Sequence, residues 1–175
     1  MKDVGLIGCG YWGKILLSKL KKLSNLKFIC RSKDNYIHQL NSVKWIFIAT
    51  PNDTHYEIVK KCLASGKNVF CEKPPARNIN ELKKVLKEFQ KKKNKVKLKY
   101  GFNHRYHDSI ILTKKIIDSK KYGKLINLKG LYGKSKIITF AGQWRSIKSI
   151  AGGGILLDQG IHLLDLIRFF CGEFK

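Results

Sequence analysis

Val4-Gly5-Leu6-Ile7-Gly8-Cys9-Gly10-Tyr11-Trp12-Gly13 is the stretch that decides the fold. A short apolar run enters G-x-G-x-x-G, and Leu16, Leu20 and Leu23 then recur at helical spacing. The pattern predicts strand, tight turn and helix. In such a turn Gly8 permits the sharp bend, Gly10 lets the backbone approach a pyrophosphate, and Gly13 lets the helix pack closely on the strand. The helix N-terminus then presents unpaired N–H groups to the phosphates. Gly8, Gly10 and Gly13, with Tyr11 and Trp12 between them, are therefore candidate cofactor contacts.

Moving outward, Leu26 to Cys30 is expected as a second strand. At the end of that strand an NAD enzyme usually carries an acid for the ribose 2′-hydroxyl. Here the residues are Arg31-Ser32-Lys33, and the acid is delayed to Asp34. Two cations and a hydroxyl suit a 2′-phosphate through charge-assisted hydrogen bonds, so NADP is favoured, with NAD left open. An ordinary basic loop would look the same. Only residues 31–42 then precede a third strand, Val43 to Ala49, whereas a βαβ unit needs about thirty residues. One crossover is expected to be compressed or deleted.

Thr50-Pro51-Asn52-Asp53-Thr54-His55 follows as a loop, and Thr54 and Glu57 have capping-box spacing for a helix that Gly66 ends. Asn68 to Cys71 is a fourth strand ending in Glu72-Lys73-Pro74-Pro75. A charged pair there lies where parallel sheets bind ligands, though a surface ion pair would read alike. Asn78 and Glu81 open another helix, and Val96 to Phe102 is a fifth strand. Lys124 to Lys136 alternates as a long strand of a more open second sheet. The last helix, Ile155 to Cys171, is apolar enough to be covered nearly all round, except for Asp158, His162 and Asp165 at i, i+4 and i+7. Those three are either a catalytic set or a satisfied structural Asp–His pair.

The composition is that of a folded globular chain, with 43% hydrophobic and 11% aromatic residues in 175. The net charge of +24 comes mainly from lysines scattered over helix faces and strand ends. It reads as lysine bias with generic attraction to anions, since no arginine–aromatic surface of a nucleic-acid reader stands out. The five cysteines form no CxxC pair, and most lie in apolar stretches, as buried thiols of a reducing compartment do. No metal-ligand spacing, signal peptide or membrane span is read, so a cytoplasmic location is expected.

Taken together, Gly8 to Gly13, Ala49-Thr50-Pro51-Asn52-Asp53-Thr54-His55, the Gly66 to Pro74 segment, Gly101-Phe102-Asn103-His104-Arg105-Tyr106 and the GGGxLxDxGxHxxD pattern from Gly152 to Asp165 make the chain resemble the Gfo/Idh/MocA family. That is the family of glucose–fructose oxidoreductase and inositol dehydrogenase. The resemblance implies an α/β chain with a Rossmann domain over 1–101 and, over 102–175, the beginning of an open-sheet α/β domain for substrate and oligomerisation. It implies an NAD(P)-dependent oxidoreductase acting on a sugar, cyclitol or sugar nucleotide, and its wording looks most like members in surface-polysaccharide pathways.

The resemblance also carries roles. Lys73 would sit by the nicotinamide and bond the substrate hydroxyl, with Glu72 positioning it. His162 would take the hydroxyl proton, and Asp158 would orient His162 or the substrate. Thr50, Pro51, Asn52 and His55 would line the cofactor cleft, and Arg105, Trp144 and Arg145 would touch substrate. A homo-oligomer through the second sheet is expected. The sequence stops soon after the last helix, where relatives continue, which suggests a fragment, a minimal member or a decayed copy. A non-catalytic dinucleotide-binding module acting as a partner or regulator is the alternative.

Overall fold

The computed structural model describes residues 1–132 and 144–174. They fall into two units, Met1–Gly101 with Gly142–Gly152, and Phe102–Ala141 with Gly153–Lys175. The first unit is built on five parallel strands: β1 Asp3–Ile7, β2 Asn25–Cys30, β3 Trp45–Ile48, β4 Asn68–Cys71 and β5 Leu98–Tyr100. Their order is β2-β1-β3-β4-β5, so the winding direction reverses between β1 and β3. Ile7 lies opposite both Cys30 and Ile48, and Ile48 lies opposite Cys71. The strands therefore end level, and the turns that follow them share one edge of the sheet.

Helices α1 Tyr11–Leu23, α2 Asn52–Ala64 and α3 Ile79–Lys92 complete the layers. The period of two along each strand divides the apolar residues between two faces. Ile7, Ile46, Ile48 and Val69 pack with Ile58, Val59, Cys62 and Leu63 of α2 and Val85 of α3. Val4 and Leu6 point the other way, against Leu20 of α1. Burying each such side chain contributes about 1.5–3 kcal/mol before chain entropy is counted. Between β2 and β3 a single 3-10 turn, Ile37–Ser42, stands in the short crossover and anchors itself through buried Leu40. Among the described residues no strand lies outside β2, which forms the edge of this sheet.

α3 is capped as its sequence predicts, with Asn78 Oδ1 accepting the Glu81 N–H at 3.0 Å. α2 is not. It begins at Asn52 behind Pro51, and the Thr54 hydroxyl instead reaches the Pro51 carbonyl at 2.8 Å. Proline's fixed φ and missing N–H favour a helix start directly after it, which overrides the weaker Thr54 signal. A fourth short helix of this unit, α5 Lys148–Ala151, arrives from far along the sequence. The Asn52 amide donates to Ala151 O at 2.8 Å, and Arg77 Nη1 donates to Ser149 O at 2.6 Å. The Arg77 guanidinium is itself fixed by Glu81, which accepts from its Nε at 3.0 Å.

The second unit contains α4 Asp108–Ser119, a π-helical turn Leu156–Gly160 and α6 Ile161–Cys171. Residues 124–132 form no strand, and 133–136 of the expected strand lie outside the described residues. A strand requires a hydrogen-bonding neighbour, and the one sheet among the described residues belongs to the first unit. The expected all-round burial of the last helix is also corrected. Ile155, Leu156 and Leu164 are exposed, while His162 and Asp165 are the buried residues. By length and composition alone the stretch Lys148–Cys171 is apolar enough to cross a membrane, a test that a core helix also passes. Buried His162 and Asp165 within it mark a helix that carries polar partners.

Candidate active site

A cleft of about 680 Å³ opens at the carboxyl ends of β1 and β3, where the strand order reverses. Its floor is the glycine turn. The Gly8 N–H donates to Cys30 O at 2.7 Å, and Gly8 has φ +108°, with room for a Cβ denied by Ala49 O at 2.3 Å. A Cβ on Gly13 would lie 2.1 Å from Gly8 O, so these two glycines are required by the protein's own packing. Gly10 differs. It lines the cleft, and nothing lies within 4 Å of where its Cβ would be. Gly10 also precedes α1, which has neither a capping side chain nor an acid in its first turn. Open N–H groups beside a bare backbone form a cradle that fits a dinucleotide pyrophosphate.

Of the residues expected at the cofactor, Gly8, Gly10, Tyr11, Trp12, Arg31, Ser32, Thr50, Pro51, Asn52 and Glu72 line this cleft. Lys73, Trp144 and Arg145 line it too. Gly13 packs behind the turn. Lys33 lies in a neighbouring hollow of about 380 Å³ with Asp34, Asp53 and Lys61. His55 is not a lining residue. It is 1% exposed, with Nδ1 2.8 Å from Pro74 O and Nε2 3.0 Å from Thr50 O. Its place on the inner face of α2 takes it behind the cleft wall. Burial holds its pKa below the usual 6.5 against the pull of those two carbonyls.

Cys9, Lys14 and Ala49 line the cleft as well, without having been singled out. Lys14 had a legible signal, because a cation in the first turn of a helix opposes the macrodipole and calls for an anion nearby. Among the described residues that line the cleft, Lys14, Arg31, Lys73 and Arg145 are cationic and Glu72 is the one carboxylate. Burial raises the Glu72 pKa, with Lys73 opposing. Gly101 makes room for that carboxylate, since a Cβ there would come within 2.9 Å of Oε2. At the end of β2 the Asp34 carboxylate accepts the Arg31 N–H at 2.6 Å, which ties the acid to its own turn. The Arg145 guanidinium rests 4.3 Å from the Trp144 ring centre.

In the second unit, buried His162 lies flat against His104, centroids 4.1 Å apart and planes 17° apart. Tyr132 stacks on His104 at 5.5 Å, and Phe102 meets His162 edge-on at 6.1 Å. Asp165, the third residue of the expected polar face, accepts from Arg105 Nε at 2.6 Å and Nη2 at 2.5 Å. Arg105, expected to touch substrate, is thus engaged by a buried carboxylate and also lies over Phe169 at 5.1 Å. Asp158 falls in the π-helical turn and accepts from Gln159 Nε2 at 2.7 Å. The wider turn changes the helical phase before His162, so spacing alone does not put Asp158, His162 and Asp165 on one regular face. His104 went unassigned in the sequence, for no periodicity joins it to His162.

Known proteins are similar throughout. The family described as "Oxidoreductase family, NAD-binding Rossmann fold" matches residues 27–100, and the "GFO/IDH/MocA C-terminal domain" matches residues 110–175. Levoglucosan dehydrogenase of Pseudarthrobacter phenanthrenivorans is 38% identical over 130 residues, covering 73% of this chain and 33% of that protein. Inositol 2-dehydrogenase of Rhizobium meliloti is 30% identical over 132 residues, covering 73% and 36%. A solved structure of levoglucosan dehydrogenase in complex with NADH and levoglucosan superposes with a TM-score of 0.81 at 26% identity, over 99% of this chain and 55% of that one. The chain thus matches between about a third and about half of the length of these relatives.

Proposed function

The chain belongs to the GFO/IDH/MocA oxidoreductase family, and from that premise we propose that it is an NAD(P)-dependent dehydrogenase of the sugar, cyclitol or sugar-nucleotide class. The observation that carries this is the cleft at the reversal of strand order, with open Gly10 and Lys73 lining it. The bound nicotinamide would accept or return the hydride. Four cations against one carboxylate suit an anionic dinucleotide there. The relatives bear the names of dehydrogenases for levoglucosan and inositol, which supports a polyhydroxylated substrate.

Within that function, the α1 N-terminus and Lys14 hold the pyrophosphate. Arg31 and Ser32, at the end of β2, favour the 2′-phosphate of NADP. Asp34 already has the Arg31 N–H as a partner, so it competes less well for a ribose hydroxyl. Lys73 donates to the substrate oxygen, and Glu72 keeps the ammonium directed there. His162 takes the hydroxyl proton as hydride leaves the same carbon, a task suited to an imidazole near neutrality. Asp158 orients it, and Trp144 with Arg145 contacts substrate. Arg105 acts indirectly by holding Asp165. Buried Cys30, Cys62 and Cys71 suit a reducing cytoplasm, and exposed Ile155 and Leu156 suit association between copies.

The test is fluorescence titration with NADPH and NADH, followed by nicotinamide absorbance with levoglucosan, myo-inositol and glucose 6-phosphate. Dinucleotide binding with turnover on one polyol, lost in Lys73→Ala, is the expected result. Failure to bind either dinucleotide would overturn the proposal.

A further inference from the structure

We infer that His55 is a positioning residue that fastens the loop after β3 to the loop after β4, so that the two walls of the dinucleotide cleft keep one spacing. The inference rests on the cofactor reading above. Thr50 and Pro51 line one part of the cleft, and Glu72 and Lys73 line another. His55 touches neither open surface. Its ring is buried, with one nitrogen against the carbonyl of Thr50 and the other against that of Pro74, the residue after Lys73.

The two contacts are not equivalent. Thr50 is five residues from His55 and leads directly into the same helix, so that contact is local. Pro74 is nineteen residues away and belongs to a different strand's loop. The Nδ1 contact alone crosses between the walls. Both partners are carbonyls, which only accept, and a neutral imidazole has one N–H to give. With burial keeping the ring neutral near pH 7, the proton is best placed on Nδ1, where the distance is shorter, 2.8 against 3.0 Å. A buried carbonyl left without that donor would drive the loop to rearrange. Lys73 would move with it, because it is covalently next to Pro74.

The chemistry distinguishes side chains sharply. An asparagine amide can occupy the Nδ1 position and keep the donation to Pro74 O. A glutamine amide reaches the Nε2 position and can donate only locally, to Thr50 O. Leucine keeps neither. The experiment is NADH titration of the full chain as wild type, His55→Asn, His55→Gln and His55→Leu at 10 °C, with a thermal melt of each.

His55→Leu and His55→Gln should bind NADH at least tenfold more weakly than wild type, and His55→Asn within about threefold of it. The ranking of affinities should differ from that of melting temperatures. Affinities that follow the melting temperatures, equal affinity in all folded variants, or rescue by glutamine instead of asparagine would each overturn the inference. Should His55→Leu fail to fold, the asparagine–glutamine pair decides alone. No NADH binding by wild type would overturn the cofactor reading and this inference with it, a result distinct from normal binding in every variant.

Discussion

His104 and His162 lie ring on ring, 4.1 Å between centroids, inside the second unit. The stack fixes the plane of the imidazole proposed as proton acceptor. Replacing His162 by alanine should cut turnover by about a hundredfold to ten-thousandfold, the usual worth of general acid–base catalysis. NADH affinity should stay near wild type, because the cradle proposed for the phosphates belongs to the first unit. Single-turnover hydride transfer with a parallel melt checks this. Full turnover with a lowered melting temperature would make His162 a packing residue.

Two glycines of the turn should separate by role. Gly13→Ala drives a methyl into the Gly8 carbonyl, 2.1 Å away, and should destabilise the fold by about 1–3 kcal/mol. Gly10→Ala meets nothing within 4 Å and should leave denaturant midpoints nearly unchanged while weakening NADH binding at least tenfold. Urea melts and cofactor titration of the two variants provide the comparison. Unaltered affinity in folded Gly10→Ala would remove the pyrophosphate from this turn.

Cofactor choice is tested at Arg31. If its guanidinium meets a 2′-phosphate, Arg31→Ala should weaken NADPH by about tenfold to a hundredfold and leave NADH within about twofold, as loss of a charge-assisted contact does. Paired titrations at one ionic strength measure it. Equal loss for both dinucleotides would assign Arg31 to generic attraction.

His55 also predicts a pH dependence. Burial lowers its pKa in the folded chain, so the unfolded chain binds a proton first as pH falls from the usual 6.5. Stability therefore rises with pH between the folded value and 6.5, and is lost as pH drops through that window. Asp53 on its own helix favours the charged ring, and Lys73 across from it opposes. Urea midpoints from pH 5 to 8 should show a slope that His55→Asn reduces. An unchanged slope in that variant would assign it to other groups.

Much of the first unit was legible because its signals are local. Val4 to Gly13 and Asn68 to Lys73 each hold a strand and the turn it needs, and the cleft assembles from such turns. What escaped depends on distance in sequence. Nothing near His55 reveals that Pro74 lies against it, so a residue placed in the cleft by motif stands behind it. His104 and His162 are joined only by tertiary packing, and Arg105 is claimed by Asp165 sixty positions on. The alternation in 124–132 signals a strand, but strand structure is a property of pairs.

The strap held by Asn52 and Arg77 has a consequence for the order in which the protein comes into being. The five strands have all been synthesised once Tyr100 has left the ribosome, yet Trp144 and Arg145 complete the cleft and α5 covers Asn52 only when the chain has been made through Gly152. Until then the nascent sheet waits with its cleft unfinished. The first unit is thus complete only after residues 102–141 of the second have been translated.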